Sequence, residues 1–126
     1  MKKGFTLLEV MVVSVILGIL ATIALPVYNT SRERIFDNQA KADLKLMWSA
    51  EKNYYLDMQY YYPSTGSITD LVTINNALTM DLPANVNKRW NYSVFNTGCC
   101  QASRTIGTKN WRIRIAETDP VSGTCP

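Results

Sequence analysis

Residues 1–28 read MKKGFTLLEVMVVSVILGILATIALPVY, and this stretch sets the organisation of the chain. From Phe5 to Leu25 the only charged residue is Glu9. As a helix, these residues would extend for about 31 Å, enough to cross a hydrocarbon core of about 30 Å. We therefore expect a membrane-spanning helix over residues 5–28, which leaves residues 29–126 for an amphipathic helix and one small globular domain.

Composition argues against an enzyme. The chain has 126 residues and no histidine, which removes the commonest general base, the usual catalytic triads and most zinc sites. We expect no catalytic residues, no metal site and no cofactor. The formal net charge is +3, two units of which come from Lys2 and Lys3, so a chain trimmed of them carries +1. Such a weak basic excess makes nucleic acid an unlikely partner.

The apolar run differs from a conventional secretory signal. Lys2 and Lys3 precede it, so the positive-inside bias places the N-terminus in the cytoplasm and the rest of the chain outside. Its end, residues 21–26, reads ATIALP and lacks a small-x-small cleavage site. We therefore expect the run to stay on the protein.

The residues KKGFTLLE at positions 2–9 closely resemble the class III signal of type IV pilins and of type II secretion pseudopilins. The resemblance implies that a prepilin peptidase cleaves between Gly4 and Phe5, removes residues 1–4 as a leader and leaves Phe5 to be N-methylated. It also implies that the Phe5 amine meets Glu9 of an adjacent subunit in a filament.

The physical chemistry of Glu9 agrees with an assembly role. An acidic residue at the middle of a spanning helix costs roughly 2.5–3.5 kcal/mol, and less near an end. An opposite charge in a low-dielectric bundle would offset this cost and reward correct docking. The alternative is a carboxylate that extends to the lipid headgroups. With KKGF in front of it, we favour the assembly role.

Gly18 and Pro26 lie in the same predicted helix. Glycine has a poor helix propensity and proline removes a backbone donor, so we expect the helix between them to loosen or bend most easily. The resemblance to pilins implies local melting there in a fibre. A compatible alternative is that Gly18 allows close helix packing and Pro26 marks the exit from the bilayer.

Beyond Pro26, helical periodicity predicts an amphipathic continuation that ends between Asp57 and Tyr62. Its apolar stripe comprises Phe36, Ala40, Leu44, Met47, Ala50, Tyr54 and Met58. Pro63 and three successive tyrosines then disfavour helix, and residues 64–67 are predicted to form a loop. Residues 68–82 are consistent with a short helix or irregular turns.

Two later segments alternate apolar and polar residues as strands do: Trp90 to Val94 and Trp111 to Ile115. With a possible third strand near Ser103 to Thr108, the predicted fold class is α+β, a long N-terminal helix packed on a small antiparallel sheet, as in pilins. Basic residues in this region suit a solvated strand face better than DNA binding: Lys88, Arg89, Arg104, Lys109, Arg112 and Arg114. Glu117 and Asp119 give only a weak calcium signal.

The three cysteines are Cys99, Cys100 and Cys125, without CxxC spacing. A disulfide from Cys125 to Cys99 or Cys100 would close a loop of about 26 residues and contribute roughly 3–4 kcal/mol. It resembles the C-terminal disulfide loop of many type IV pilins. The sequence leaves the partner open, and a vicinal Cys99–Cys100 bond is the less favoured alternative.

Taken with the resemblance, these features predict a structural subunit of a type IV pilus or related filament. The precursor would sit in the bacterial cytoplasmic membrane, and the assembled filament at the cell surface or in the periplasm. The family implies as partners further copies of the chain, the prepilin peptidase, an assembly ATPase and a membrane platform protein. Alternatives are a type II secretion pseudopilin, a competence pilin and a membrane-anchored periplasmic binding domain.

Overall fold

The computed structural model describes residues 4–83 and 89–126, so most of the predicted leader, Met1 to Lys3, and the basic residue Lys88 lie outside the described residues. The fold is α+β, as predicted, with one long N-terminal helix and a small antiparallel sheet. The elements in chain order are α1 (Leu7–Met58), β1 (Ser67–Ile68), α2 (Leu71–Leu78), β2 (Trp90–Phe95), β3 (Cys100–Arg104), β4 (Asn110–Ile113) and β5 (Val121–Ser122).

The chain divides into two compact units, the first ending at Asp37. Among the described residues, α1 is the one helix long and apolar enough to cross a membrane. The hydroxyl groups of Ser14, Thr22 and Thr30 donate to carbonyl oxygens of the helix itself, as in the 2.8 Å bond from Ser14 Oγ to Val10 O. Their polar groups are thereby satisfied within the apolar helix.

The second unit, Asn38–Pro126, contains a five-stranded sheet in the order β1-β2-β3-β4-β5. Every neighbouring pair is antiparallel. Tyr92 pairs with Ala102, which pairs in turn with Trp111. Each strand follows its neighbour in sequence, so short turns suffice to connect β2, β3 and β4.

The core of the second unit lies between the last five turns of α1, α2 and one face of the sheet. The helix contributes Ala40, Leu44 and Met47, all fully buried, and the sheet contributes Val94, Ala102 and Ile113. This arrangement confirms the central part of the predicted stripe. Met58, the last predicted member, is 52% exposed, because α1 ends there and Gln59 takes a positive φ of 63°.

The prediction for the third strand was wrong in its position. We expected it near Ser103 to Thr108, whereas β3 is Cys100–Arg104 and residues 105–109 form a turn. Gly107 has a φ of 115° in this turn, and the Arg104 N–H donates to Lys109 O across it. The last strand residue of β4 is likewise Ile113, not Ile115, because Glu117 N–H donates to Arg114 O and turns the chain.

The region between the two helices holds more regular structure than we expected. Ser67, predicted to lie in a loop, begins β1 and pairs with Phe95. α2 forms where a short helix was one of two options, and Asp70 caps it by accepting a hydrogen bond from the Thr73 N–H at 3.1 Å.

Candidate assembly site

Glu9 lies in the first turn of α1, where its backbone N–H takes part in the helix cap and its side chain is exposed. The Thr6 hydroxyl oxygen accepts a hydrogen bond from the Glu9 N–H at 3.3 Å. Thr6 and Glu9 have the spacing of a capping box, a helix-start signal that our sequence reasoning missed. The Glu9 side chain is exposed, and its carboxylate has no hydrogen-bond or ion-pair partner in the part of the chain that the structure describes. It is therefore available to a partner outside this chain.

The residues around Glu9 form an exposed apolar surface. Phe5, Leu7 and Leu8 are 79%, 85% and 71% exposed, and the apolar side chains of α1 remain largely exposed as far as Tyr28. Surfaces of this size on a protein mark a lipid or protein contact. Gly4, the residue before the predicted cleavage site, is also exposed, and this leaves the Gly4–Phe5 bond accessible in the structure.

Helix α1 continues through both Gly18 and Pro26. A Cβ added to Gly18 would meet nothing within 4 Å among the described residues, so packing among those residues does not require a glycine there. Pro26 cannot donate to the carbonyl four residues earlier, and its own carbonyl accepts from Thr30 Oγ1 at 3.1 Å. Local loosening between the two residues stays a prediction.

A cluster of aromatic and arginine side chains, which was not predicted from the sequence, follows the apolar run. The Arg32 guanidinium carbon lies 5.7 Å from the ring centroid of Tyr28 and 5.9 Å from that of Phe36. Spacings of four residues along a helix would have indicated these contacts. Tyrosine and arginine at the end of an apolar helix are typical of a membrane interface.

The C-terminal segment is tied to the sheet by a disulfide between Cys99 and Cys125, with Cα atoms 6.0 Å apart. The Cys125 N–H also donates to Gln101 Oε1 at 2.7 Å. Cys100 is a free cysteine that is fully buried in the core. Adjacent residues of an extended chain point to opposite sides, so only one of the two cysteines faces the tail.

Two buried acid contacts in the second unit were not predicted. Glu51 is fully buried on the core side of α1, where its Oε2 accepts a hydrogen bond from the Tyr62 N–H at 3.0 Å. Its Oε1 has no hydrogen-bond partner within residues 4–83 and 89–126. Burial raises the pKa of Glu51 to about 7, although the Tyr62 N–H acts in the opposite direction. Burial and a hydrogen bond to Asp43 likewise raise the pKa of Tyr92.

The two carboxylates considered for calcium are engaged with basic side chains. Arg112 lies 3.0 Å from Glu117, and Lys45 lies 2.6 Å from Asp119. Hydrogen bonding to the Arg114 backbone and to Lys45 lowers the pKa values of Glu117 and Asp119, respectively. Among residues 4–83 and 89–126, no three His, Cys, Asp or Glu side chains are grouped as a metal site.

Comparison with known proteins shows what the N-terminal part of the chain is similar to. Residues 1–25 match the family model of the prokaryotic N-terminal methylation motif. The chain carries this motif and is similar to type IV pilins and type II secretion pseudopilins. Its long apolar helix and its Cys99–Cys125 disulfide agree with that similarity.

The similar proteins come from both branches of the pilin and pseudopilin family. The type IV major pilin protein PilA of Myxococcus xanthus is 39% identical over 60 residues, which are 48% of this chain and 27% of that protein. The type II secretion system core protein G of Escherichia coli is 38% identical over 88 residues, 69% of this chain and 59% of that protein. That of Pseudomonas aeruginosa is 44% identical over 64 residues, 51% of this chain and 44% of that protein. The chain thus spans less than two thirds of the length of these relatives.

Proposed function

We propose that this chain is a structural subunit of a type IV pilus. The observation that carries the proposal is the position of Glu9: an exposed carboxylate with no partner in the described residues, four residues after Phe5 in an apolar helix. Cleavage between Gly4 and Phe5 gives the mature chain a positively charged amine at its new terminus. A neighbour's Glu9 carboxylate is then the complementary charge in an otherwise apolar environment.

The proposed sequence of events follows from the two parts of the chain. The apolar part of α1 holds the precursor in the cytoplasmic membrane with its N-terminus inside, where the prepilin peptidase removes the leader and Phe5 is methylated. Subunits then leave the bilayer and pack their apolar helices together in the filament, which again removes the exposed apolar surface from water. The chain is not an enzyme, so a cytoplasmic ATPase and a membrane platform protein supply the work.

A second candidate is the pseudopilus of a type II secretion system. The similarity to the core protein G of Escherichia coli favours this candidate, because it extends over 69% of the residues of this chain. Both candidates share the Glu9 contact and differ in what the filament does. The C-terminal disulfide loop, similar to that of many type IV pilins, favours the pilus.

Gene deletion in the source organism tests and separates the two functions. A type IV pilus subunit predicts that filaments sheared from the cell surface contain this chain, and that deletion removes the chain from the sheared fraction without retaining exported proteins in the periplasm. A pseudopilin predicts periplasmic retention of exported proteins on deletion. Complementation with Glu9→Leu should fail in either case, and absence of the chain from any filament would contradict both functions.

A further inference from the structure

In the second unit, α1 presents two exposed flanks of opposite character. Its buried face carries Leu44 and Met47. At 3.6 residues per turn, one flank lies about 120° to one side of this face and the other about 120° to the opposite side. The basic flank comprises Lys41, Lys45 and Lys52. The acidic groove is lined on the other flank of α1 by Leu46, Asn53 and Asp57, at the C-terminal end of α1 by Met58, and beyond α2 by Met80 and Asp81.

The basic flank keeps most of its positive charge. The Lys41 ammonium lies 4.0 Å from the ring centroid of Trp111, and the Lys52 ammonium lies 3.6 Å from that of Trp48. Among the residues that the structure describes, Lys45 alone in this flank is paired with a carboxylate, that of Asp119. Aromatic rings hold the lysine side chains in place without neutralising them, so the flank is a fixed positive surface.

The acidic groove is a cleft of about 500 Å³ between α1 and the residues that follow α2. Its apolar side chains are incompletely covered: Leu46 is 47% exposed and Met58 is 52% exposed. The carboxylates of Asp57 and Asp81 lie on its rim and have no ion-pair or hydrogen-bond partner in the described ranges. Apolar side chains ringed by charged groups are typical of a protein contact surface.

We propose that the basic flank of one copy docks on the acidic groove of the next copy in the filament, with Lys41 and Lys52 facing Asp57 and Asp81. The charge complementarity of the two surfaces selects a second copy of this chain as the occupant. They lie on different sides of one helix, so each copy offers both halves of the contact at once. Such a heterologous contact leads to an open helical assembly rather than a closed dimer.

The proposed contact rests on the filament function and adds to it. A Glu9 contact between neighbouring apolar helices would fix the axial position of each subunit. The flank and groove would fix the rotation of its globular domain, because Leu46 and Met58 are covered only when the neighbouring lysines face the two aspartates. Because salt screens exposed charges, we expect the binding of the basic flank to the acidic groove to weaken as the salt concentration rises.

Charge reversal in the full-length chain tests the contact. One variant carries Lys41→Glu and Lys52→Glu, a second carries Asp57→Lys and Asp81→Lys, and a third combines all four changes. Arg114→Glu is the matched control, since Arg114 is exposed and lies in neither surface. Sheared filaments are quantified against membrane-held precursor, and formation of the Cys99–Cys125 disulfide reports folding in each variant.

We expect each two-site variant to reduce filament yield by about tenfold or more, because like charges then face each other, and we expect the four-site variant to recover most of the yield. The control should assemble normally. Normal assembly of both two-site variants, or no recovery in a correctly folded four-site variant, would overturn the contact. If a two-site variant fails to form its disulfide, Lys41→Gln with Lys52→Gln decides instead: a reduced yield supports the contact and an unchanged yield overturns it. If the parent chain is never found in filaments, it is the filament function that fails.

Discussion

The hydroxyl oxygen of Thr6 accepts a hydrogen bond from the backbone N–H of Glu9 at 3.3 Å, at the start of α1. The backbone of Glu9 thus helps to cap the helix, whereas its carboxylate has no partner in the described residues. Capping is independent of the Glu9 side-chain charge. The structural and assembly roles of this position are therefore separable by substitution.

Glu9→Leu should leave the precursor inserted, because removing a charge favours insertion, and should sharply reduce filament formation. Glu9→Gln keeps the size of the side chain and should fail as well, since the expected contact is between charges. Thr6→Ala removes the cap at a cost of about 1 kcal/mol to the helix start and should still assemble. Counting filaments by electron microscopy, with precursor in the membrane as the reference, checks the series. Normal filaments from Glu9→Leu would show that the carboxylate has no docking role.

The disulfide gives a prediction about stability. Cys99→Ser and Cys125→Ser should each lower the free energy of unfolding by about 2–5 kcal/mol, because each opens a loop of 26 residues. The double variant should lose no more than either single one, since both changes remove the same bond. Thermal unfolding of a soluble fragment starting near Thr30 measures these differences. Additive losses in the double variant would contradict the pairing.

The loss of stability on replacing Cys100 should depend on the polarity of the new side chain, although Cys100 forms no disulfide. It is fully buried in the core, and burial raises its thiol pKa. Cys100→Ser should cost about 1–3 kcal/mol by burying a hydroxyl group, whereas Cys100→Ala removes only a small apolar group and should cost less. The same unfolding measurement distinguishes them. Equal losses of stability for Cys100→Ser and Cys125→Ser, with no loss for Cys99→Ser, would show that Cys125 is bonded to Cys100, and would contradict the Cys99–Cys125 pairing.

Glu51 predicts that the second unit loses stability as pH rises. Its pKa is about 7 when folded against an ordinary value of 4.5, so the folded state binds more protons between these values. The contribution of Glu51 to the free energy of unfolding is therefore greatest below about pH 4.5. It falls by roughly 1–3 kcal/mol as the pH rises from there through 7. Glu51→Gln should remove this slope and stabilise the fragment at pH 8. Urea unfolding at pH 5 and pH 8 tests it, and parallel pH profiles for both proteins would refute it.

Gly98 is predicted to tolerate no side chain. It has a φ of 72°, and an added Cβ would lie 3.0 Å from the Tyr61 ring. Gly66 has a φ of 70° with open space around it and is a matched control for the backbone cost alone. Gly98→Ala should destabilise by about 1–3 kcal/mol, more than Gly66→Ala. Equal costs for the two variants, measured by thermal unfolding, would mean that the Tyr61 ring moves aside freely.

The long helix α1 was the most predictable element of the fold, for a physical reason. The apolar run has no other structure that satisfies its backbone in a membrane, and the stripe containing Ala40, Leu44 and Met47 has the helical period. The position of β3 was not predicted, because CQASR alternates apolar and polar residues only through Cys100 and Ala102 and contains none of the β-branched or aromatic residues that are enriched in strands. β3 is held by pairing with β2 and β4, which a local pattern does not report.

The functional residues also differ in whether a local sequence pattern or only the tertiary structure reveals them. Glu9 was evident because a single charge interrupts an apolar run. Glu51 was not, because a glutamate on a helix normally faces water, and only the tertiary structure places it beneath Tyr62. The choice between Cys99 and Cys100 depends on which side of the chain faces the tail, and a shift of one residue reverses that side. Local sequence carries no information on that shift.

The N-terminus of the chain in assembled filaments tests the central claim most directly. Filaments sheared from cells are dissolved, and the intact mass of this chain is measured together with its N-terminal peptide. The account predicts a chain that begins at Phe5 with a methylated amine, because that amine is the proposed partner of Glu9. A chain that still carries Met1 to Gly4 within assembled filaments would contradict it.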